Sequence, residues 1–195
     1  MSNFNEEKAL QVLSYVQGKT GYQDYIPLLK LVYFAERYSL RKYCITILDD
    51  EYYAMKNGPV ASNTYNILKC AFNFSNPDLK DFVIATGEHS TLIKYPGKYS
   101  RLSSSDIESL DFSIGKFAKY NMRMIDITHL FPEWYKHENE INDSAPRAYM
   151  SYLDFFENPD DDKLNKLKGI LRVSKDPYYR DDIAIAKTIF EGDEF

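Results

Sequence analysis

Two cysteines and three histidines are all that the 195 residues offer of the side chains that most often carry metal or redox chemistry. Cys44 and Cys70 show no metal-ligand spacing, and a lone pair in a chain of this size reads as two reduced thiols rather than a disulfide framework. No Gly-x-Gly-x-x-Gly, no Walker-type phosphate loop, no Cys-x-x-Cys pair and no Gly-x-Ser-x-Gly elbow occurs, so no nucleotide fold or hydrolase announces itself. No apolar run approaches the roughly 18 residues that a membrane span needs. The opening MSNFNEEKAL lacks both the basic and the apolar region of a signal peptide, which predicts a cytoplasmic protein without membrane contact. Positive charge is short as well. The net charge is −5, and an acidic balance opposes binding to phosphate backbones, which depends on a basic surface. Arg37, Arg41 and Lys42 form the one dense basic group, read as the solvated end of a helix whose dipole they complement.

What is present is apolar and aromatic. A hydrophobic fraction of 44% with 27% charged residues describes an ordinary globular chain with material for one good-sized core. Tyrosine, at 17 residues, dominates the aromatics, and its apolar body with a polar tip suits core margins and protein-binding surfaces alike.

Apolar periodicity predicts a first helix capped by Asn3 or Asn5, with Ala9, Val12, Leu13 and Val16 on one face and Gly18 and Gly21 at its end. A second, central helix over about 27–43 starts near Pro27 and carries Leu28, Leu31, Val32, Ala35 and Tyr38. Ile45 to Ile47 and Tyr52 to Met55 read as short extended segments around an acidic turn. Asn57-Gly58-Pro59 reverses the chain, and Pro59 is expected to open a third helix through Val60, Ile67, Leu68 and Ala71. Phe82 to Ala85 and Thr91 to Tyr95 predict a hairpin that leans on the helices or pairs with the Tyr52 strand. Ser105 and Glu108 match a capping box ahead of the Ile107, Leu110, Ile114 and Phe117 face. Short helices are expected over 122–130, 146–156, 163–171 and 181–190. The fold class predicted is α+β, mainly helical, with a small antiparallel sheet built from the Tyr52 strand and the hairpin. One domain over 1–142 is expected, with a helical extension over 143–195 packed on it.

Two blocks carry a family resemblance. The first joins Lys30-Leu31 and Phe34-Ala35-Glu36-Arg37 to Asp50-Glu51-Tyr52-Tyr53-Ala54 and the turn Gly58-Pro59-Val60. The second runs from Leu102-Ser103 to Thr128-His129 and Trp134. Together they cover roughly residues 25 to 136, and the chain resembles the Panacea domain, the SocA-like antitoxin family. Family members usually carry a second proline after Gly-Pro-Val, where this chain has Ala61. The resemblance implies an antitoxin of a type II toxin–antitoxin system, of the kind met in phage defence. Such a protein neutralises, by direct contact, a toxin encoded by an adjacent gene. The SocA branch does so as an adaptor that delivers its toxin to a cellular protease. Tyr33, Ala35, Arg37, His129 and Trp134 are then motif residues with a structural role.

Tyr52, Tyr53, Lys56, Asn57, Gly58, Pro59 and Val60 are the candidate partner-binding set, because successive strand residues face opposite ways and one of the two tyrosines must look outward. Two other readings stay open. A DNA-binding regulator would need a basic recognition helix, for which the Arg37 to Lys42 cluster is the only material. An enzyme would need a nucleophile or paired acid and base, and His129 is its only seed. The acidic runs Asp49-Asp50-Glu51 and Asp160-Asp161-Asp162 read as solvated, the second favouring the free amides of a following helix. No cofactor or metal is expected. Elemental analysis of protein purified without chelator should find no stoichiometric ion, and a tightly held zinc on His129 would overturn that expectation.

Overall fold

Helix α2 (Tyr25–Tyr43) has almost no solvent face: Leu28, Leu31, Val32, Tyr33, Phe34 and Ala35 are buried, and so are Lys30, Glu36, Arg37, Ser39 and Arg41. A helix apolar on several sides belongs inside a core, and the other elements wrap this one. The computed structural model describes residues 4–96, 98–143 and 146–171. Helix α1 (Glu6–Thr20) starts at the Asn5 cap, whose side chain accepts from Lys8 N, and runs through Gly18 to Gly21, a left-handed cap at φ 73°. Helix α4 (Ser104–Phe117) makes the most extensive contact with α2. Phe117 stacks on Phe34 at 3.8 Å and Phe112 on Tyr38 at 4.2 Å, while Ser113 Oγ donates to Leu31 O at 2.7 Å.

Strand β1 (Tyr52–Met55) is the middle of a three-stranded antiparallel sheet. It pairs with β2 (Gly58–Ala61), with Tyr53 opposite Val60, and with β5 (Arg147–Tyr149), with Tyr53 opposite Tyr149. Strands β3 (Val83–Gly87) and β4 (Ser90–Ile93) form a separate hairpin. It leans on α1, where the Gln17 side chain donates to Thr91 O at 2.5 Å and accepts from Ile93 N at 2.8 Å. Helix α3 (Ser62–Leu68) lies between β2 and this hairpin. Past α4, a kinked 3-10 segment (Ala118–Arg123) leads to α5 (Met124–Thr128), α6 (Pro132–Tyr135) and α7 (Glu138–Asp143). After β5 come a 3-10 turn (Tyr152–Phe156) and α8 (Asp161–Leu171). The class is α+β and mainly helical, packed around a central helix with small antiparallel sheets. None of the described helices is long and apolar enough to cross a membrane.

Several local expectations are corrected. The hairpin does not join the Tyr52 strand; that edge of β1 goes to β5, where Met150 N also donates to Tyr52 O at 2.9 Å. The expected helix over 146–156 is therefore a strand and a 3-10 turn, since an unpaired strand edge outweighs weak helical periodicity. Residues 45–47 form no strand, because Ile47 N donates to the buried Glu36 carboxylate at 3.1 Å. Pro59 and Val60 belong to β2, and α3 opens only at Ser62, with Ala71 exposed beyond its end. The capping box is Ser103 with Asp106, not Ser105 with Glu108. Glu108 instead accepts from Lys42 Nζ, Tyr43 Oη and Tyr38 Oη at the end of α2, a set of donors, Lys42 foremost, that holds its carboxyl down to about 2. The helix expected over 181–190 lies outside the described residues.

Residues on both sides of the expected boundary at 142 share one core. Phe155 is fully buried, its ring 5.8 Å from Tyr33 and 5.4 Å from Tyr52. Arg41 donates to Phe155 O and Glu157 O and, at 2.7 Å, to Asn158 Oδ1. Leu31 has no exposed surface, whereas Asp161 is exposed at the start of α8. Leu31→Ala should cost about 2–5 kcal/mol by chemical denaturation, and Asp161→Ala should stay within about 0.5 kcal/mol.

Candidate partner-binding groove

Gly58 fixes the site. It sits at φ 93°, a conformation that L side chains rarely adopt, and a Cβ there would lie 2.4 Å from Thr128 Oγ1 and 2.8 Å from Lys30 Nζ. The tight turn Lys56-Asn57 can therefore drop β2 directly onto α2 and α5. Lys30, 2% exposed, donates through Nζ to Pro59 O at 2.8 Å, using a carbonyl opposite Ala54 in β1. Burial alone depresses the Lys30 ammonium from 10.5 to about 7. From the far side, Trp134 Nε1 donates to Met55 O at 2.9 Å.

His129 stacks on Trp134 at 3.6 Å with rings 10° from parallel. Burial, and then the nearby Lys30 charge, pull its pKa down to about 4, so the ring is neutral at neutral pH. Its Nε2 meets no hydrogen-bond partner among the described residues. The ring is a flat plate against Trp134, and among the described residues no carboxylate hydrogen-bonds to it. Among the described residues no three His, Cys, Asp or Glu side chains converge as they would on a metal ion.

The other motif residues bolt the central helix in place. Glu133, fully buried, accepts from Tyr33 Oη at 2.5 Å and Arg37 Nε at 2.8 Å, while the Arg37 guanidinium lies 4.2 Å from the Phe131 ring centre. Removing one partner from such a buried pair typically costs about 3–5 kcal/mol. Ala35 has no exposed surface. Of the basic group at the end of α2, the two arginines are thus not solvated and Lys42 is only partly exposed. Arg37 and Arg41 are buried and bonded to later parts of the chain, and Lys42 pairs with Glu108. Asp50 is not solvated either: its carboxylate accepts from Asn63 N, Thr64 N and Thr64 Oγ1 at 2.7–2.8 Å, capping α3 where Ala61 has no side chain to do so.

Around the turn lies a groove of about 520 Å³, between the start of α2, the β1–β2 turn, Tyr65 of α3, the hairpin residue His89 and Met122. Of the candidate set, Lys56 and Asn57 stand exposed at its edge and Tyr53 is half-buried on the outer side of the sheet beside Tyr149. Tyr52, Gly58, Pro59 and Val60 are buried, Tyr52 at 1% exposure, and contribute shape rather than reach. Sequence reasoning missed Lys30, Leu29, Tyr65 and Met122 as lining residues. Lys30 was within the quoted motif, but nothing local distinguishes a buried lysine from an exposed one. Met122 is brought in by the kink at Asn121, φ 46°.

The architecture defines a mainly helical α+β domain with a turn-edged groove beside α2. The family model for the antitoxin SocA-like, Panacea domain matches residues 28–135, more than half of the chain, and the chain belongs to that family. An antitoxin role in general terms, with a toxin as partner, goes with that membership. No curated protein and no solved structure matches the chain. The matched stretch holds Lys30, the turn, and the Tyr33–Arg37–Glu133 and His129–Trp134 contacts.

A lysine whose folded pKa lies below its unfolded value contributes stability at high pH and loses it as pH falls through the folded pKa. Lys30→Leu should therefore gain stability relative to the parent as pH falls from 10.5 to about 7, read as the difference in denaturant midpoint between the two proteins. A difference that stays flat over that range would mean that Lys30 is more hydrated than its burial implies.

Proposed function

We propose that this chain neutralises its toxin by direct protein contact, with the β1–β2 turn and the groove beside it as the contact surface. The observation that carries the reading is the juxtaposition of the exposed Lys56 and Asn57 with an apolar groove of about 520 Å³, within a family of antitoxins. A groove of this size lies in the range of 300–1,000 Å³ that takes specific ligands, and an aromatic such as Tyr53 beside it loses little rotamer freedom on binding. The toxin is the product of an adjacent gene, and the protein acts without catalysis. Occlusion and delivery to a cellular protease both begin with this contact; the toxin's half-life in cells, with and without this chain, separates them. The burial of Arg37 and Arg41 withdraws the residues on which the DNA-binding reading rested, and the low pKa of His129 withdraws the residue on which the enzyme reading rested as a base near neutral pH.

Co-expression should rescue cells from the neighbouring gene product, and the two proteins should purify together. Lys56→Glu should slow association about tenfold at low salt while leaving thermal stability unchanged. A neighbour that is harmless alone, or that stays lethal beside abundant antitoxin, would sink the reading. Truncation after Asn142 would not probe this surface alone, because it deletes β5 and the buried Phe155.

A further inference from the structure

The groove is apolar on most of its walls and includes a buried lysine among its lining residues. Lys30 lines it, yet one hydrogen bond, to Pro59 O, is all that its ammonium makes among the described residues, leaving donor capacity unused. The N-terminus of α2 opens on the same groove: its cap Asp24 makes no side-chain cap bond and its first turn holds no acidic residue, and with Tyr25 N donating to His89 O, Leu28 N to Asp24 O and no N–H on Pro27, Ile26 N is the amide it leaves for a ligand. The positive end of a 19-residue helix and a buried lysine thus act in the same direction. Lys56 adds a third positive contribution at the edge, and Asp24, which is exposed, is the one carboxylate among the lining residues. Leu29, Met55, Val60 and Met122 supply the apolar walls.

We propose that the groove recognises an acidic side chain, Asp or Glu, carried between apolar residues on a segment of the toxin, with the carboxylate seated on Lys30 and the α2 N-terminus. This rests on the antitoxin reading above and names the chemistry of its contact. An arriving carboxylate favours the charged ammonium and offsets the desolvation that depresses it. The apolar neighbours of the acid fill the walls, so that removing either part of the segment removes most of the recognition.

Met55 and Met122 line the groove while Met124 and Met150 are buried away from it, so methionine methyl groups report occupancy with internal controls. The full chain, labelled with carbon-13 at its methionine methyls, is titrated with hydrocinnamate and, separately, with the uncharged hydrocinnamide. The expected result is a saturable shift of the Met55 and Met122 signals by the acid, with the amide about tenfold weaker. Lys30→Leu should abolish the preference for the acid. Lys56→Gln, at an exposed position, should reduce it and covers the case in which Lys30→Leu does not fold.

Equal shifts by acid and amide, no response at either methionine, or an unchanged preference in folded Lys30→Leu would each overturn the proposal. So would displacement of the acid by a short single-stranded RNA, which would hand the groove to phosphate. The toxin arm separates this from the wider reading. Toxin that binds without displacing hydrocinnamate overturns the groove contact and leaves the antitoxin role standing. In a toxin that does displace it, changing the responsible Asp or Glu to its amide should weaken the complex about tenfold, while amidating the toxin's C-terminus should not.

Discussion

The structure depends on one constraint: α2 is buried on nearly all sides and still carries Lys30, Glu36, Arg37, Ser39 and Arg41. Buried polar groups must find partners, and here each finds one outside the helix. Lys30 takes a carbonyl of β2, Glu36 an amide of the loop after α2, and Arg37 the carboxylate of α6. Ser39 reaches Ile45 O, and Arg41 holds the stretch after the last 3-10 turn. The helix is less a hydrophobic rod than a distributor of polar contacts, and the order of those contacts along it sets where the surrounding pieces lie. Glu36 shows the cost: burial pushes its carboxyl up to about 8 despite the Ile47 and Leu48 amides that favour its charge.

Much of this was legible in the chain. The apolar repeats placed α1, α2, α4 and α8 to within a few residues, and the Asn-Gly-Pro turn and the Phe82 to Tyr95 hairpin were visible from turn chemistry. What failed were decisions that a local window cannot make. Ile45 to Ile47 looks like a strand until Glu36, on the preceding helix, claims its amide. Arg147 to Tyr149 looks helical until the edge of β1 needs a partner. The Arg37 to Lys42 group looks solvated because nothing nearby in sequence announces Glu133 or the carbonyls near residue 157. Charged residues are the least legible, since their burial is set by distant partners.

The family pattern takes on a physical meaning in this light. Lys30, Gly58 and Pro59 form one contact, Tyr33, Arg37 and Glu133 a second, and His129 and Trp134 a third that reaches back to Met55. The first and third meet the β1–β2 hairpin at Pro59 and Met55, and the second holds Tyr33, whose ring lies 6.3 Å from that of Tyr52. The recurring residues therefore describe a mount, and the residues at the tip of the turn, Lys56 and Asn57, are what the mount holds out.

The remote cap on α3 gives that mount an unusual footing. Asp50, which precedes β1, binds the first amides of the helix that follows β2, and Ser62 N donates to Glu51 O at 2.8 Å. The hairpin between them is consequently closed at its root by side-chain and main-chain bonds that do not involve its tip. A loop tied off in this manner behaves as a socket: short foreign sequences placed between Met55 and Gly58 would inherit a prefolded neck, which makes this turn a natural position for grafting new recognition elements onto the same body.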